Sequence, residues 1–335
     1  MEVYYGNAEK SFPCFPNCSF ILIFPPKISY NLIMSLKEKK LIRPLPFGIS
    51  EFTEVIDRHC YYSDKTFLLK SLLDTETKVI LFTRPRRFGK TLNMTMMRTF
   101  FEKNLAGKDT SHYFKNLKIW NAGEKYTKEQ GKRPVIYITF KDIKQADYNA
   151  AFFNITKKIS DEFKRHAELG ESQYLTKDDI ELYRKMTSRT ADILEWESSL
   201  ETLSGMLCRH YNNNVVIIID EYDAPIQTAF ENGYYEEMIR LMRTLLSGAF
   251  KDNPSLYRGM FTGITRVSKE SIFSGLNNLK VDTIFDDYFA DCFGLTAEEV
   301  SDMLDFYDIS EKRKRRHTGT TDICSVIRKY TIRGQ

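Results

Sequence analysis

Val79-Ile80-Leu81-Phe82-Thr83-Arg84-Pro85-Arg86-Arg87-Phe88-Gly89-Lys90-Thr91 is the stretch whose reading decides the fold. An apolar run passes into a basic turn, and Gly-Lys-Thr opens a helix. With residues 79 to 83 as a buried strand and 91 to 101 as a helix, the turn delivers successive backbone N–H groups and a helix N-terminus to one point, a ready anion site. Lys90 is then expected to reach the β- and γ-phosphates of a nucleotide, and the Thr91 hydroxyl to bind Mg2+. The phosphate-loop (Walker A) pattern G-x-x-x-x-G-K-[ST] asks for glycine where Arg84 stands, so the first tight-turn glycine is missing. A basic, solvated strand-to-helix turn is the competing reading of the same residues.

The partner of such a loop stands further along. Val215-Val216-Ile217-Ile218-Ile219 runs into Asp220-Glu221-Tyr222-Asp223-Ala224-Pro225. β-branched residues ending in two carboxylates are what the second phosphate-loop element (Walker B) requires, with Asp220 projecting toward Mg2+ and Glu221 polarising an attacking water. Acidic residues after a strand also cap helices, but two agreeing signals outweigh that reading.

Between these stretches, residues 135 to 140 form a second near-continuous β run, as expected of a strand covered on both faces. Trp196, Leu200, Leu203 and Leu207 make a helical stripe that reads as core. A helix is expected over 235 to 250 and a fourth strand over 257 to 263. In the additional-strand class of phosphate-loop proteins that strand lies between the first and third, making Thr262 or Thr265 the candidate γ-phosphate sensor and Arg266 a phosphate or interface arginine. Upstream, residues 49 to 55 read as extended or turning, and Ser63 and Asp64 as N-caps of a helix over 65 to 73. Alternating strands and helices give an α/β fold with a parallel sheet and nucleotide at the strands' carboxyl ends. The scattered His59, His112, His166 and His210 read as surface or core residues.

Composition narrows the class. At 335 residues and 42% apolar, the chain can bury one large core or two modest ones. Cysteines at 14, 18, 60, 208, 292 and 324 form no C-x-x-C pair and no Cys–His ligand set, which argues for a reducing compartment without structural zinc or disulfides. The apolar stretch around residues 20 to 26 is too short to span a bilayer and lacks a basic region before it, so a cytoplasmic location is expected. The net charge of +4 belongs to the tail. Residues 312 to 335 hold eight Lys and Arg against one Asp, so everything before them is net acidic and carries no nucleic-acid signature.

With these residues assembled, the chain resembles the bacterial predicted AAA-ATPase-like family, whose members often continue into a PD-(D/E)xK nuclease-like domain. The matching pieces are Pro46-Phe47-Gly48-Ile49 with Phe52, Tyr62-Ser63-Asp64-Lys65-Thr66, Arg84 to Thr91, Asp220 to Pro225, Gly263-Ile264-Thr265-Arg266-Val267-Ser268, and Phe293-Gly294-Leu295-Thr296 with Glu299. The resemblance covers about residues 40 to 307, makes Arg84 a family feature and implies ATP binding. It implies a P-loop NTPase of the additional-strand (ASCE) type, a three-layer sandwich with a mainly parallel central sheet. Lys90 and Glu221 are the candidate catalytic residues, and Thr91 and Asp220 the candidate Mg2+ ligands. Arg84, Pro85, Arg86, Arg87, Phe88, Gly89, Lys90, Thr91, Thr262, Thr265 and Arg266 are the candidate ATP contacts. Pro85 is expected to fix the turn, and the guanidinium groups to supplement backbone N–H groups at phosphate.

Residues 1 to 33 lack a sustained period and are expected to be a non-native or disordered extension, with Met34 the true start. After about residue 310 the family would continue with W-Y-D-G-Y and then I-Y-N-P-W-S, which the chain does not contain. Joining the last base of each codon to the first two of the next, from the Thr318/Gly319 junction, permits both motifs in one frame. A single-base deletion between codons 308 and 317 is therefore expected. It would make 312 to 335 a frameshifted, disordered basic tail and leave the 34 to 311 ATPase-like domain incomplete and without its nuclease-like domain. The expected function is ATP binding and Mg2+-dependent hydrolysis. The alternatives are a nucleotide-binding regulatory or interaction module without turnover and a non-functional truncated product. The expected partners are nucleotide, and nucleic acid only through the absent domain, with no membrane contact.

Overall fold

Four apolar runs and one short mixed one become strands: β1 (Val79–Thr83), β2 (Val135–Thr139), β3 (Val215–Asp220), β4 (Leu256–Gly263) and β5 (Leu279–Asp282). The computed structural model describes residues 43–103, 109–264, 273 and 278–307, with the backbone of residues 20 and 21. The described residues belong to two units, 28–293 and the pair of segments 1–27 and 294–335.

In the larger unit the strands form one sheet in the order β2-β3-β4-β1-β5, with every neighbouring pair parallel. Strand side chains alternate between faces, and here the alternation feeds two cores. Val79, Leu81, Ile217 and Ile219 pack on one side with α5 (Tyr148–Arg165), α8 (Ser199–Tyr211), α9 (Ala224–Asn232) and α10 (Tyr235–Phe250). Ile80, Phe82, Val216 and Ile218 pack on the other with α1 (Phe52–Asp57), α2 (Phe67–Asp74) and α3 (Lys90–Phe101). This is a three-layer α/β sandwich with an all-parallel sheet, the strand between the first and third being β4. The smaller α4 (Glu124–Thr127), α6 (Lys177–Ser188) and α7 (Ile193–Glu197) complete this unit.

Register places the site. Thr139 lies opposite Asp220, Thr83 opposite Gly263, and Phe82 opposite both Thr262 and Asp282. The carboxyl ends of all five strands therefore form one row of polar residues.

Three local expectations are corrected. Residues 52 to 57 are helical rather than extended, because Phe52 and Val55, three apart, are both fully buried on one helix face. The next helix starts at Phe67, since Asp64 accepts hydrogen bonds from the Thr66 N–H (2.8 Å) and hydroxyl (2.6 Å) and closes a turn before it. The Trp196 to Leu207 stripe is buried as expected but spans α7 and α8, which break at Ser198, α7 having its own capping box between Asp192 and Glu195. β5, with the sequence Leu-Lys-Val-Asp, is a strand that no local pattern announces.

In the smaller unit, Phe20–Ile21 pairs antiparallel with Leu295–Thr296. A capping box between Thr296 and Glu299 opens α11 (Ala297–Phe306), which buries Val300 and Leu304 with Leu295. The Thr296 and Glu299 spacing is thus a helix-starting device. Residues 1–19, 22–42 and 308–335, on which the readings of the N-terminal extension and the frameshifted tail fall, lie outside the described residues. Among the described residues no helix is long and apolar enough to cross a membrane.

Candidate functional site

The loop between β1 and α3 turns on two left-handed residues, Arg87 (φ 71°) and Gly89 (φ 73°). Glycine accepts that conformation freely, whereas at Arg87 it costs about 1 kcal/mol, a strain typical of functional turns. Phe88 between them is buried and anchors the loop. Among the described residues, the first N–H of α3 to bond along the helix is that of Asn93, to the Gly89 carbonyl at 3.0 Å, which leaves those of residues 89 to 92 without a backbone partner. The loop and first turn of α3 therefore offer a run of donors with the positive end of a helix dipole behind them, a set that fits phosphate.

Lys90 reaches back across this loop. Its Nζ donates to the carbonyls of Arg84 and Pro85, each at 3.0 Å, and the side chain is buried. Burial pushes its ammonium pKa down, opposed by the nearby Glu221, Asp220 and Asp223.

Asp220 is fully buried at the end of β3. Its carboxylate accepts from Thr91 Oγ1 (2.8 Å), Thr262 Oγ1 (2.6 Å) and Thr139 Oγ1 (3.4 Å). Thr91 and Asp220, 129 residues apart, thus meet as a hydroxyl and a carboxylate. Two hard oxygen donors of this kind are of the type that would hold Mg2+.

Glu221 follows with φ 53°, and its N–H donates to Thr262 Oγ1 at 3.2 Å. It is half-buried, and burial, with Asp220 beside it, raises its carboxyl pKa. Asp223 Oδ2 accepts the N–H of Ile264 at 2.7 Å, tying the acidic turn to the end of β4.

The candidate residues Gly89, Lys90, Thr91, Asp220, Glu221 and Thr262 are therefore brought together. Thr262 faces Asp220 and the Glu221 N–H. Pro85, Arg86 and Arg87 are exposed at the loop surface. Arg84 departs from the expectation that its guanidinium supplements phosphate-binding N–H groups. The side chain is 2% exposed, both Nη atoms point to Asp282 or the Thr83 carbonyl, and Phe293 stacks beneath it at 4.9 Å. Thr265 and Arg266 lie outside the described residues. Thr139, Asp223 and Asp282 join the site beyond the residues expected from sequence. Thr139 carried a signal as the polar end of a β run, and Asp223 sat inside the acidic stretch, but nothing local marks Asp282.

A parallel sheet of this order, with Gly-Lys-Thr after the first strand and an acidic pair after the third, defines an additional-strand P-loop NTPase fold. The chain belongs to the AAA-ATPase-like family: a family model described as "Predicted AAA-ATPase" matches residues 46–273. Membership points to nucleotide binding or ATPase activity. The chain is also 28% identical over 266 residues to an "Uncharacterized protein in vnfD 5'region" of Azotobacter chroococcum mcd 1, a match covering 77% of this chain and 44% of that protein. This chain thus spans less than half the length of that relative. No solved structure matches it.

Proposed function

We propose that the chain is an ATP-binding module that hydrolyses ATP with Mg2+. The observation that carries the reading is the 2.8 Å contact between Thr91 of the loop and Asp220 of β3, with Lys90 beside it. Backbone N–H groups of the loop bind the phosphates, and Lys90 exchanges its carbonyl partners for phosphate oxygens. Thr91 and Asp220 would hold Mg2+, which when bound would offset charge on the phosphate oxygens. Glu221, its pKa raised by burial, orients a water and takes its proton, a role suited to a carboxylate nearer neutrality than usual. A further reading is that in a longer protein turnover drives an attached domain, the nuclease-like one that the family resemblance implies.

ATP binding and hydrolysis by wild type, Lys90→Ala and Glu221→Gln test this. Lys90→Ala is expected to weaken ATP binding at least about tenfold by removing a charge-assisted contact. Glu221→Gln should keep binding and lose about 100-fold or more in turnover. A wild-type rate no higher than that of Glu221→Gln would leave a nucleotide-binding regulatory module without turnover, and absence of ATP binding by wild type would overturn both.

A further inference from the structure

Arg84 stands where a phosphate loop ordinarily has glycine, and its contacts run in three directions. Its N–H donates to the Gly263 carbonyl of β4 at 3.2 Å. Its own carbonyl accepts from Lys90 Nζ at 3.0 Å. Its guanidinium crosses to β5, with Nη1 donating to the Asp282 carbonyl (2.9 Å) and the Thr83 carbonyl (3.0 Å), and Nη2 to Asp282 Oδ1 (2.5 Å). β4 and β5 flank β1 on opposite sides, so this one residue links both neighbours of the loop strand to the lysine of the loop.

Asp282 is fully buried, and its Oδ2 has no hydrogen-bond partner among the described residues. Its other oxygen and its carbonyl both accept from Arg84, the carbonyl also from Thr83 Oγ1 at 3.4 Å. A buried ion pair contributes little net stability over apolar residues of similar size, so stability does not account for a charge pair at this depth. Geometry does: a planar guanidinium held at two points and stacked on Phe293 has one orientation, and it fixes the carbonyl to which Lys90 is bound.

We propose that Arg84 and Asp282 are a positioning pair, a buried strut that sets the entry of the phosphate loop and the resting place of Lys90 where other such loops rely on glycine. Neither side chain touches phosphate. The inference rests on the nucleotide reading above, and its test separates the two.

The test is Arg84→Met combined with Asp282→Leu, with Arg84→Lys beside it. The double variant should unfold near the wild-type temperature, since it removes both charges together. In the nucleotide-free protein, hydrogen exchange of the residue-84 amide, which is bonded to the Gly263 carbonyl, should speed up about tenfold or more, and the Kd for Mg2+-ATP should rise by about the same factor. Arg84→Lys keeps the charge but not the fork, and should also loosen the loop. A double variant with unchanged exchange and unchanged Kd overturns the proposal, leaving the pair as packing. If the double variant does not fold, unchanged exchange in Arg84→Lys overturns it in the same way. If wild type binds no ATP, the functional reading falls, while exchange still decides whether the pair orders the loop.

Discussion

Gly263 ends β4 at a point where an added Cβ would lie 2.6 Å from Cε1 of Tyr222 and 2.9 Å from Cγ of Asp223. Tyr222 cannot yield easily, being fully buried edge-on against Phe261 at 5.4 Å and tilted against Phe273 at 5.5 Å. Gly263→Ala is therefore expected to cost about 2 kcal/mol, measured by urea unfolding, and to lower ATP turnover by shifting the acidic turn. Unchanged stability and turnover would show that the turn relaxes freely. The glycine was visible in the sequence as part of Gly-Ile-Thr-Arg, but its reason was not, because the atoms that exclude a side chain come from another strand's end. Arg84 is the reverse case. Its oddity was plain in the sequence, and the reading of it toward phosphate failed because Asp282, 198 residues away, claims the guanidinium.

At the scale of elements, capping chemistry is local, but Ser63 and Asp64, the residues expected to cap a helix over 65 to 73, precede one that begins at Phe67. Thr176 opens α6 with a capping box, its Oγ1 accepting the Asp179 N–H at 3.1 Å while Asp179 Oδ2 accepts the Thr176 N–H at 3.0 Å. Thr176→Ala should cost about 1 kcal/mol in thermal unfolding. Arg209→Ala, which removes a half-exposed ion pair to Asp179, should change stability by less than about 1 kcal/mol. A larger loss from Arg209 than from Thr176 would mean that the ion pair, not the cap, holds the helix. Elements without local signals were missed. α1 is six residues long and forms because Phe52 reaches a prepared pocket, its N–H donating to Thr95 Oγ1 of α3 at 3.0 Å. β5 is four residues of mixed polarity that, among the described residues, pair only with β1. In both, tertiary contacts override propensity.

Across the larger unit, the polar end of the sheet that carries the candidate site is matched by a buried charge network at the start of β2. Arg165 pairs with Glu162 and Glu102, and its Nη2 also donates to the Val135 carbonyl. His166 Nδ1 faces Glu168 Oε1 (3.3 Å) and Nε2 the Val135 carbonyl (3.2 Å), with Glu162 at 3.7 Å and Tyr211 bonded to Glu168. Burial pushes the His166 pKa down, but hydrogen bonds to Glu162 and Glu168 outweigh it and Arg165, so the net shift is upward from 6.5. A raised folded pKa contributes stability that is full below 6.5 and is lost as pH rises through the folded value. Glu162 has the opposite sign: burial alone would raise it, but Arg165 brings it from 4.5 down to about 2, so its stability is present above 4.5 and lost as pH falls toward 2. The thermal midpoint should therefore decline on both flanks, and His166→Gln should flatten the alkaline one. A His166→Gln profile parallel to wild type above pH 6.5 would exclude this network as its cause.

The sequence by itself determined the two halves of the candidate site, since each lies in one contiguous stretch: an apolar strand, a Gly-Lys-Thr helix start, and a β-branched run closed by two carboxylates. Those features depend on residues within a turn or two of each other, and backbone preference and side-chain periodicity express them directly. Only the tertiary structure decided that Thr91, Thr139 and Thr262 share the one carboxylate of Asp220, and that Arg84 serves β5 rather than phosphate. Such partners are set by the lateral order and register of parallel strands. Residues far apart in the chain become neighbours through crossover connections, and no local pattern records which strand end will stand beside which.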